Sequence, residues 1–108
     1  MIYPPCSLYV IQCQTPRHYY VGTTNCRLKK RLDEHFIEKK GSLWTTRHGC
    51  KRVVKRFTIP IEKANYYENL VWLHYARIYG AENVRGGDVT ILGPIAAFLK
   101  EQYPYNAL

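Results

Sequence analysis

Two β-prone runs near the start of the chain are separated by only four residues. The first is Ser-Leu-Tyr-Val-Ile-Gln-Cys at 7–13 and the second is His-Tyr-Tyr-Val-Gly at 18–22, with Gln-Thr-Pro-Arg between them. Both runs are rich in aromatic and β-branched residues, which favour pleated strands. Because so short a connection can join only antiparallel neighbours, the pattern predicts a β-hairpin. Any fold of this chain has to be built around that hairpin.

The rest of the chain alternates between helix-like and strand-like segments. We expect a first helix over 26–40, with Asn25 as its N-cap and Gly41 as the glycine that ends it. The later elements are expected to be a polar loop at 41–50, a third strand at 51–59, a second helix at about 60–79, a loop at 81–88 and a third helix at 93–103. A small α+β domain with a three-stranded sheet is therefore predicted.

The charge balance favours a phosphate-bearing partner. Sixteen Lys and Arg residues oppose eight Asp and Glu residues, which gives a formal net charge of +8 over 108 residues. A chain of this length is expected to form one domain with room for one site. Nucleic acid is a common partner of so basic a protein, but the same charge can also simply solvate a surface, and composition leaves both interpretations open.

The four cysteines and the first residues argue against several other classes, although a secreted domain with two disulfides stays open. The cysteines at 6, 13, 26 and 50 form no Cys-x-x-Cys pair, so a zinc site is not expected. The start has no basic leader, and no apolar run approaches the length that spans a bilayer. We therefore expect free thiols, no membrane partner, and an intracellular location in the cytoplasm or nucleus.

The predicted first helix carries a cationic row beside an apolar row. The apolar row repeats every four residues and consists of Leu28, Leu32 and Phe36. The cationic row has the same spacing and consists of Arg27, Arg31 and His35. Residues four apart share one face of a helix, so the cationic row should flank the buried face.

A carboxylate lies within the apolar arc of the predicted second helix. On a helical wheel Glu68 falls near the middle of the arc formed by Ile61, Ala64, Val71, Trp72, Tyr75 and Tyr79. A buried carboxylate is costly unless it is neutral, paired with a cation or bound to a metal. A structural ion pair with a cation such as Arg31 and a functional carboxylate both meet that condition, and the pattern leaves both open.

Taken in chain order, these features resemble the GIY-YIG nuclease superfamily. Residues 7–9, Ser-Leu-Tyr, stand where that family has Gly-Ile-Tyr, and residues 20–22, Tyr-Val-Gly, stand where it has Tyr-Ile-Gly. Arg31 and His35 match the Arg and His of the following helix, and Glu68 matches the metal-binding Glu of a later helix. Ser7 and Leu8 depart from the family pattern at its first two positions.

A further segment strengthens the resemblance. Residues 79–87, Tyr-Gly-Ala-Glu-Asn-Val-Arg-Gly-Gly, resemble an Asn-bearing segment of some phage and large-DNA-virus members, with Asn83 as that Asn. The resemblance implies a single GIY-YIG nuclease domain over 1–108, with a small three-stranded antiparallel sheet flanked by about three helices. It also implies a metal-dependent DNA endonuclease that hydrolyses phosphodiester bonds in one step to 5′-phosphate and 3′-hydroxyl ends.

The resemblance assigns roles to six side chains. They are Tyr9 as the base that activates water, Tyr20 and His35 as its proton relay, Arg31 on the scissile phosphate, Glu68 on one Mg²⁺ per site, and Asn83 on the phosphate or a bound water. Mn²⁺ can substitute for Mg²⁺. Without the resemblance the tyrosines would be core residues, His35 a helix-end cation and Asn83 a turn former. A binding module of the same fold that does not cut DNA, or cuts only with a partner, is the alternative.

Basic residues around the expected site should bind the DNA backbone. They are Arg27, Lys29, Lys30, Arg47, His48, Lys51, Arg52 and Arg85. Contacts of this type give salt-sensitive binding with little sequence preference. Trp44 either stacks on an unpaired base or covers the core. The sequence does not say whether the DNA is duplex or branched. It also leaves open whether a homodimer or a partner subunit is needed.

Overall fold

The computed structural model describes residues 5–86, which form a four-stranded sheet with three α-helices. In chain order the elements are β1 Pro5–Cys13, β2 Tyr19–Thr24, α1 Leu28–Phe36, α2 Leu43–His48, β3 Cys50–Pro60, a 3₁₀ turn Ile61–Lys63, α3 Ala64–Tyr79, a 3₁₀ turn Ala81–Asn83 and β4 Val84–Gly86. The strand order across the sheet is β3-β1-β2-β4. The predicted third helix at 93–103 lies outside the described residues.

The predicted hairpin is confirmed and forms the centre of the sheet. Strands β1 and β2 pair antiparallel, with Tyr9 opposite Gly22 and Ile11 opposite Tyr20. Strand β3, the predicted third strand, pairs antiparallel with the other edge of β1. The hairpin turn is closed by hydrogen bonds from the backbone N–H of Cys13 to His18 O and from that of His18 to Thr15 O.

The fourth strand corrects the predicted three-stranded antiparallel sheet. Residues 84–86, expected to lie in a loop, pair parallel with β2, so the sheet is mixed. The indole N–H of Trp72 donates to Val84 O at 2.8 Å, which joins this strand to α3. At Gly86, where φ is 148°, an added Cβ would collide with the carbonyl oxygen of Val21. Three residues are too few to show the alternation by which a strand is recognised in a sequence.

Helix α1 is shorter than predicted and is capped differently. It begins after Arg27 rather than Asn25, and no side chain caps its first turn. It ends at Phe36, so the predicted stop at Gly41 is also wrong. The residues of its apolar row are only half-buried, and the buried residue of this helix is His35, which is 2% exposed. The helix therefore contacts the sheet through a polar side chain.

Helix α2 occupies the segment predicted to be a loop. Its N-cap is Ser42, whose hydroxyl accepts a hydrogen bond from the backbone N–H of Thr45 at 3.0 Å. At its other end the N–H of Gly49 donates to Thr45 O at 2.9 Å, with Gly49 at a φ of 75° that favours glycine. This helix has only six residues, which are too few to show a reliable apolar period, so the sequence pattern did not reveal it.

Helix α3 corresponds to the predicted second helix. A 3₁₀ turn occupies the first predicted residues, and Gly80, with a φ of 100°, ends the helix as expected. Glu68 is buried, 7% exposed, as its position in the apolar arc predicted. The buried arc is rotated relative to the wheel, because Leu70, Leu73 and Ala76 belong to it.

The apolar core lies between α3 and one face of the sheet. Its buried members are Leu8, Val10, Tyr19, Val21, Trp72, Leu73, Ala76 and Val84. Because side chains alternate along a strand, Tyr9 and Ile11 point to the opposite face. Burying a large apolar side chain contributes roughly 1.5–3 kcal/mol, so this layer supplies most of the fold's stability. No helix within residues 5–86 is long and apolar enough to cross a membrane.

Candidate active site

Tyr9 and His35 meet on the face of the sheet opposite α3. The Oη atom of Tyr9 lies 2.9 Å from Nε2 of His35, and both side chains are buried. Strand β1 supplies Tyr9, and the last turn of α1 supplies His35. The predicted Tyr–His pair is therefore brought into direct contact by residues 26 apart in the chain.

Two glycines leave the space that this pair occupies. A Cβ added to Gly22, which faces Tyr9 across the hairpin, would lie 2.6 Å from Tyr9 Oη and 2.8 Å from the Tyr20 ring. A Cβ added to Gly41 would collide with the imidazole of His35. Such close approach requires glycine whatever the backbone conformation. Gly41, which the sequence suggested as a helix terminator, is instead needed for the packing of His35.

Arg31 holds Tyr9 from the other side. Its Nε donates to Tyr9 Oη at 3.3 Å, its Nη2 donates to the carbonyl oxygen of Gly41 at 2.8 Å, and its Nη1 donates to Glu34 at 2.9 Å. The carboxylate bonded to Arg31 is thus Glu34, a residue to which the sequence analysis gave no role. The three bonds engage all three nitrogens of the planar guanidinium and fix it beside the phenol.

Tyr20 forms a wall of the same pocket. Its ring centroid lies 5.1 Å from that of His35 and 6.3 Å from that of Tyr9. Tyr20 is half-buried, and burial raises the pKa of its hydroxyl. The structure thus brings four of the six predicted catalytic residues into one cluster, namely Tyr9, Tyr20, Arg31 and His35.

The central pair is neutral at neutral pH. Burial raises the pKa of Tyr9 well above its ordinary value, and the neighbouring Tyr20 raises it further, while Arg31 opposes the shift. Burial, and after it the charge of Arg31, lowers the pKa of His35 to about 4. His35 is therefore an uncharged imidazole, and its interpretation as a helix-end cation is wrong. A phenol faces a ring that can accept its proton.

Glu68 lies close to this cluster on the first turns of α3. Its negative charge raises the pKa of Tyr9, of Tyr20 and of Cys6. An open cleft of about 450 Å³ runs between the start of α1 and the start of α3, and Lys30, Arg31 and Ala64 are among its lining residues. Ala64 precedes Glu68 by one helical turn and shares its side of α3. The cleft is the space in which a substrate phosphate can reach both Arg31 and this end of α3.

The carboxylate of Glu68 fits a hard divalent cation such as Mg²⁺. Within residues 5–86 no group of three or more His, Cys, Asp or Glu side chains could enclose a metal, and all four cysteines are free thiols. A zinc site built from protein ligands does not fit that set. Mg²⁺ keeps several water ligands and is commonly held by one or two carboxylates and a substrate phosphate, so a single buried carboxylate fits it.

Asn83 lies at the far end of α3. Its Nδ2 donates to the carbonyl oxygen of Tyr79 at 2.8 Å, at the carboxyl end of that helix. Tyr79 follows Glu68 by eleven residues, which is about 16 Å along a helix axis. The structure therefore places Asn83 as a cap for α3 and does not bring it into the cluster around Tyr9.

The predicted DNA-binding residues fall into two groups. The exposed ones are Arg27, Lys29, Lys30, Arg47, Lys51 and Arg52, and the half-buried ones are His48 and Arg85. Lys29 pairs with Asp33 at 3.0 Å, and Arg52 donates to the side chain of Gln12 at 2.8 Å. Lys30 lines the cleft. These basic side chains therefore differ in their exposure and in whether they already bond to another side chain, and both affect how readily they can bind a phosphate.

Trp44 is occupied by contacts within the chain. Its indole N–H donates to Tyr19 O at 3.0 Å, the guanidinium carbon of Arg85 lies 4.8 Å from its ring centroid, and the ring of His48 lies 4.3 Å away. These contacts favour the interpretation of Trp44 as a cover over the sheet. They leave less of its surface for stacking on a base.

Sequence reasoning missed the residues that support His35. Oγ1 of Thr45 lies 2.9 Å from Nδ1 of His35, and Thr45 is itself buried, 2% exposed. Ser42 caps the helix that carries Thr45. A Ser followed three residues later by a polar side chain, with a Gly at 49, was the available signal for this helix. Nothing in the sequence pattern linked that helix to His35.

Comparison with known families finds one match. A family model described as the GIY-YIG catalytic domain matches residues 5–79, a span that includes the cluster around Tyr9 and Glu68 and ends before Asn83. No curated protein and no solved structure matches the chain significantly.

Proposed function

Because the chain belongs to the GIY-YIG nuclease superfamily, whose members act on DNA, we propose that it is a metal-dependent DNA endonuclease. In this proposal it hydrolyses phosphodiester bonds in one step and leaves 5′-phosphate and 3′-hydroxyl ends. One observation carries the proposal. The Tyr9 hydroxyl lies between Nε2 of His35 at 2.9 Å and Nε of Arg31 at 3.3 Å, beside a cleft that Arg31 lines.

Tyr9 acts as a base through His35. Hydrolysis needs a group that takes a proton from the attacking water. A phenol whose pKa is raised by burial does not ionise at neutral pH, so Tyr9 can accept that proton only as it gives up its own. Nε2 of His35 is the acceptor within hydrogen-bond distance. Tyr20, whose ring packs on His35, shapes the pocket in which this transfer takes place.

Arg31 places positive charge where negative charge develops. Its guanidinium contacts the Tyr9 hydroxyl and lines the cleft. It can therefore stabilise negative charge that develops on the Tyr9 oxygen and on the pentacoordinate phosphorus of the transition state. The bonds to Glu34 and Gly41 fix its orientation before substrate arrives. Preorganised charge of this kind is among the largest contributions to catalysis of phosphoryl transfer.

Glu68 is the residue that would hold Mg²⁺, one ion per site, with Mn²⁺ as a substitute. When bound, the ion supplies positive charge to the phosphate and to the departing 3′-oxygen. The assignment rests on the fit of a single buried carboxylate to an ion that takes most of its ligands from water and phosphate. The role predicted for Asn83, on the phosphate or a bound water, stays a prediction, and this mechanism does not use it because its side chain donates to Tyr79 O.

The substrate is bound mainly through its backbone. The exposed basic residues near the cleft offer salt-sensitive phosphate contacts to duplex or branched DNA. Lys30 is the one that lies in the cleft beside Arg31. Cutting both strands of a duplex then requires a second copy of the chain, a partner subunit or two successive nicks.

The test is cleavage of supercoiled plasmid and of flapped DNA with Mg²⁺ by the wild type and by Glu68→Gln. We expect the variant to lose cleavage by at least about 100-fold while it still binds DNA, since the loss of metal charge affects the reaction more than the binding. Glu62→Gln, which changes an exposed carboxylate six residues earlier, is the matched control and should cut normally. Equal rates for Glu68→Gln and wild type would remove Glu68 from the mechanism.

One observation favours the alternative, a nucleic-acid-binding module without turnover. Tyr9 is fully buried, so water reaches its hydroxyl only if the site rearranges when substrate binds. If the wild type binds these DNAs but leaves all of them uncut with Mg²⁺ and with Mn²⁺, the isolated chain is a binding module that either does not cut DNA or cuts it only with a partner.

A further inference from the structure

We infer that Thr45 is a positioning residue that holds His35 in the tautomer with its proton on Nδ1, so that the lone pair of Nε2 faces Tyr9. This inference deepens the proposed function and rests on it, because it assigns a purpose to a residue that touches neither substrate nor metal. Thr45 acts on the reaction only through the imidazole.

Four side chains and one carbonyl form a continuous chain of hydrogen bonds. Nε of Arg31 donates to Tyr9 Oη, which lies 2.9 Å from Nε2 of His35. Nδ1 of His35 lies 2.9 Å from Oγ1 of Thr45, and that hydroxyl donates to the backbone carbonyl oxygen of Ser42 at 3.3 Å. The chain therefore runs from α1 through β1 and back through α1 to α2.

The two ends of this chain set its direction. A guanidinium N–H can only donate, and a carbonyl oxygen can only accept. Arg31 therefore makes the oxygen of Tyr9 an acceptor, and the proton of Tyr9 is left to point at Nε2 of His35. At the other end the proton of Thr45 goes to Ser42 O, and its oxygen is left to accept from Nδ1–H of His35. Every bond in the chain is satisfied in this direction.

The opposite tautomer leaves bonds unmade. With the proton on Nε2, His35 and Arg31 would both donate to the Tyr9 oxygen, and the hydroxyl proton of Tyr9 would lose its acceptor. The hydroxyl of Thr45 would have to turn away from Ser42 O to reach Nδ1. A buried polar group without a hydrogen-bond partner is costly enough to select one tautomer.

Helix α2 holds Thr45 in a fixed position. The hydroxyl of Ser42 accepts from the backbone N–H of Thr45 at 3.0 Å and also lies 2.9 Å from its Oγ1. Thr45 is thus held through its backbone and its side chain by the same cap. The helix that the sequence pattern did not reveal therefore serves as the support for the imidazole.

The test compares Thr45→Val, which has the same shape without the hydroxyl, with Thr45→Ser, which keeps the hydroxyl. Nitrogen NMR of the His35 ring in the full chain at neutral pH, without DNA or metal, reports the tautomer directly. We expect a protonated Nδ1 in the wild type and in Thr45→Ser. In Thr45→Val, where Nδ1–H has lost its acceptor while Arg31 still donates to Tyr9, we expect a measurable fraction of His35 with the proton on Nε2. Thr46→Val, which changes the exposed neighbour, is the control and should resemble the wild type.

Cleavage assays supply the second readout. Thr45→Val should cut DNA about 10–100-fold more slowly, the usual effect of removing a group that orients a working imidazole, and Thr45→Ser should restore the rate. A wild-type His35 with its proton on Nε2 overturns the inference even if Thr45→Val does not fold. So does a Thr45→Val protein whose tautomer populations equal those of the wild type. If the wild type does not cut DNA, the nuclease proposal fails while the NMR result still decides the tautomer.

Discussion

The two faces of the sheet are built from the same strands but are held together differently. On one face Leu8, Val10 and Val21 pack against Trp72 and Leu73 of α3 in an apolar layer. On the other face, β1 and β2 present tyrosines to a buried histidine and an arginine, and hydrogen bonds dominate. Adjacent residues of one strand therefore contribute to different parts of the protein, one to the apolar core and the next to the candidate site, because the pleat places them on opposite faces of the sheet.

The difference shows how a small domain separates stability from chemistry. Apolar packing is non-directional and tolerates small adjustments, so it can support the fold without fixing single atoms. In a chain of hydrogen bonds each donor or acceptor role depends on the neighbouring bond, so replacing one member alters the others. Substitutions within the apolar layer that α3 covers should therefore alter mainly the free energy of unfolding, and substitutions of the polar cluster on the other face should alter mainly the rate of cleavage.

The largest effect is expected from Tyr9→Phe. Removing the hydroxyl removes the group that takes the proton from water, and cleavage should fall about 1,000-fold, within the range of general base catalysis. DNA binding should persist, and stability should fall by about 1–3 kcal/mol, because Nε2 of the buried His35 loses its partner. Single-turnover cleavage, a DNA-binding titration and urea unfolding measure the three quantities. Tyr66→Phe, at a tyrosine that is 48% exposed, is the control. Undiminished cleavage would remove Tyr9 from the base role.

The converse effect is expected from Leu73→Ala on the α3 face. Leu73 is 1% exposed within the apolar layer, so its truncation should lower the free energy of unfolding by roughly 3–4 kcal/mol. The cleavage rate of the folded fraction should change less than about threefold, because Leu73 lies on the face away from Tyr9. Urea unfolding measures the first effect, with Ile78→Ala, at a residue 44% exposed on the same helix, as the control. A larger loss of activity than of stability would contradict the division between faces.

The third effect concerns pH and the buried imidazole. The pKa of His35 is lowered from 6.5 to about 4 by burial and by Arg31, so the unfolded chain binds more protons than the folded one between these values. Stability should therefore fall by on the order of 3 kcal/mol as the pH drops from 6.5 to 4. Above pH 6.5 the titration of His35 should make no contribution to the pH dependence of stability. Urea unfolding across this range for wild type and His35→Gln isolates the contribution. Parallel curves for the two proteins would show that His35 is not the group responsible.

The smallest effect distinguishes two neighbouring lysines at the edge of the polar face. Lys30 lines the cleft, whereas Lys29 pairs with Asp33. Lys30→Gln should weaken DNA binding several-fold and reduce the slope of log affinity against log salt by about 0.9, the contribution of one phosphate contact. Lys29→Gln should change both less. Fluorescence titrations at several salt concentrations compare the pair, and equal losses would show that binding does not depend on the cleft.

The sequence predicted those parts of the molecule that depend on local pattern. The hairpin, β3 and α3 each have enough residues to show a period, and Gly80 ended α3 as expected. The pattern failed for α2 and β4, which have six and three residues, and which exist because caps and neighbouring strands hold them. Asn25 and Gly41 were misread as helix ends, since local propensity cannot show that Gly41 packs on His35.

The candidate site was predicted in part for a related reason. Tyr9, Tyr20, Arg31 and His35 could be named because a family pattern orders them along the chain, and the fold brings these four together. The carboxylate beside Arg31 and the hydroxyl beside His35 belong to no such pattern. Glu34 and Thr45 become visible only once α1 and α2 are in place. Residues that support a catalytic side chain are identified by their contacts in three dimensions, which a sequence pattern does not contain.

Helix α1 has a consequence for the motions of the protein. Of its nine residues, all within the described range, the one that is buried is His35. A helix secured by a few hydrogen bonds should open as a local unit at a free energy below that of global unfolding, before α3 leaves the sheet. Its amides should then exchange with solvent faster than those of α3. The helix that carries Arg31 and His35 is thus expected to move more readily than α3.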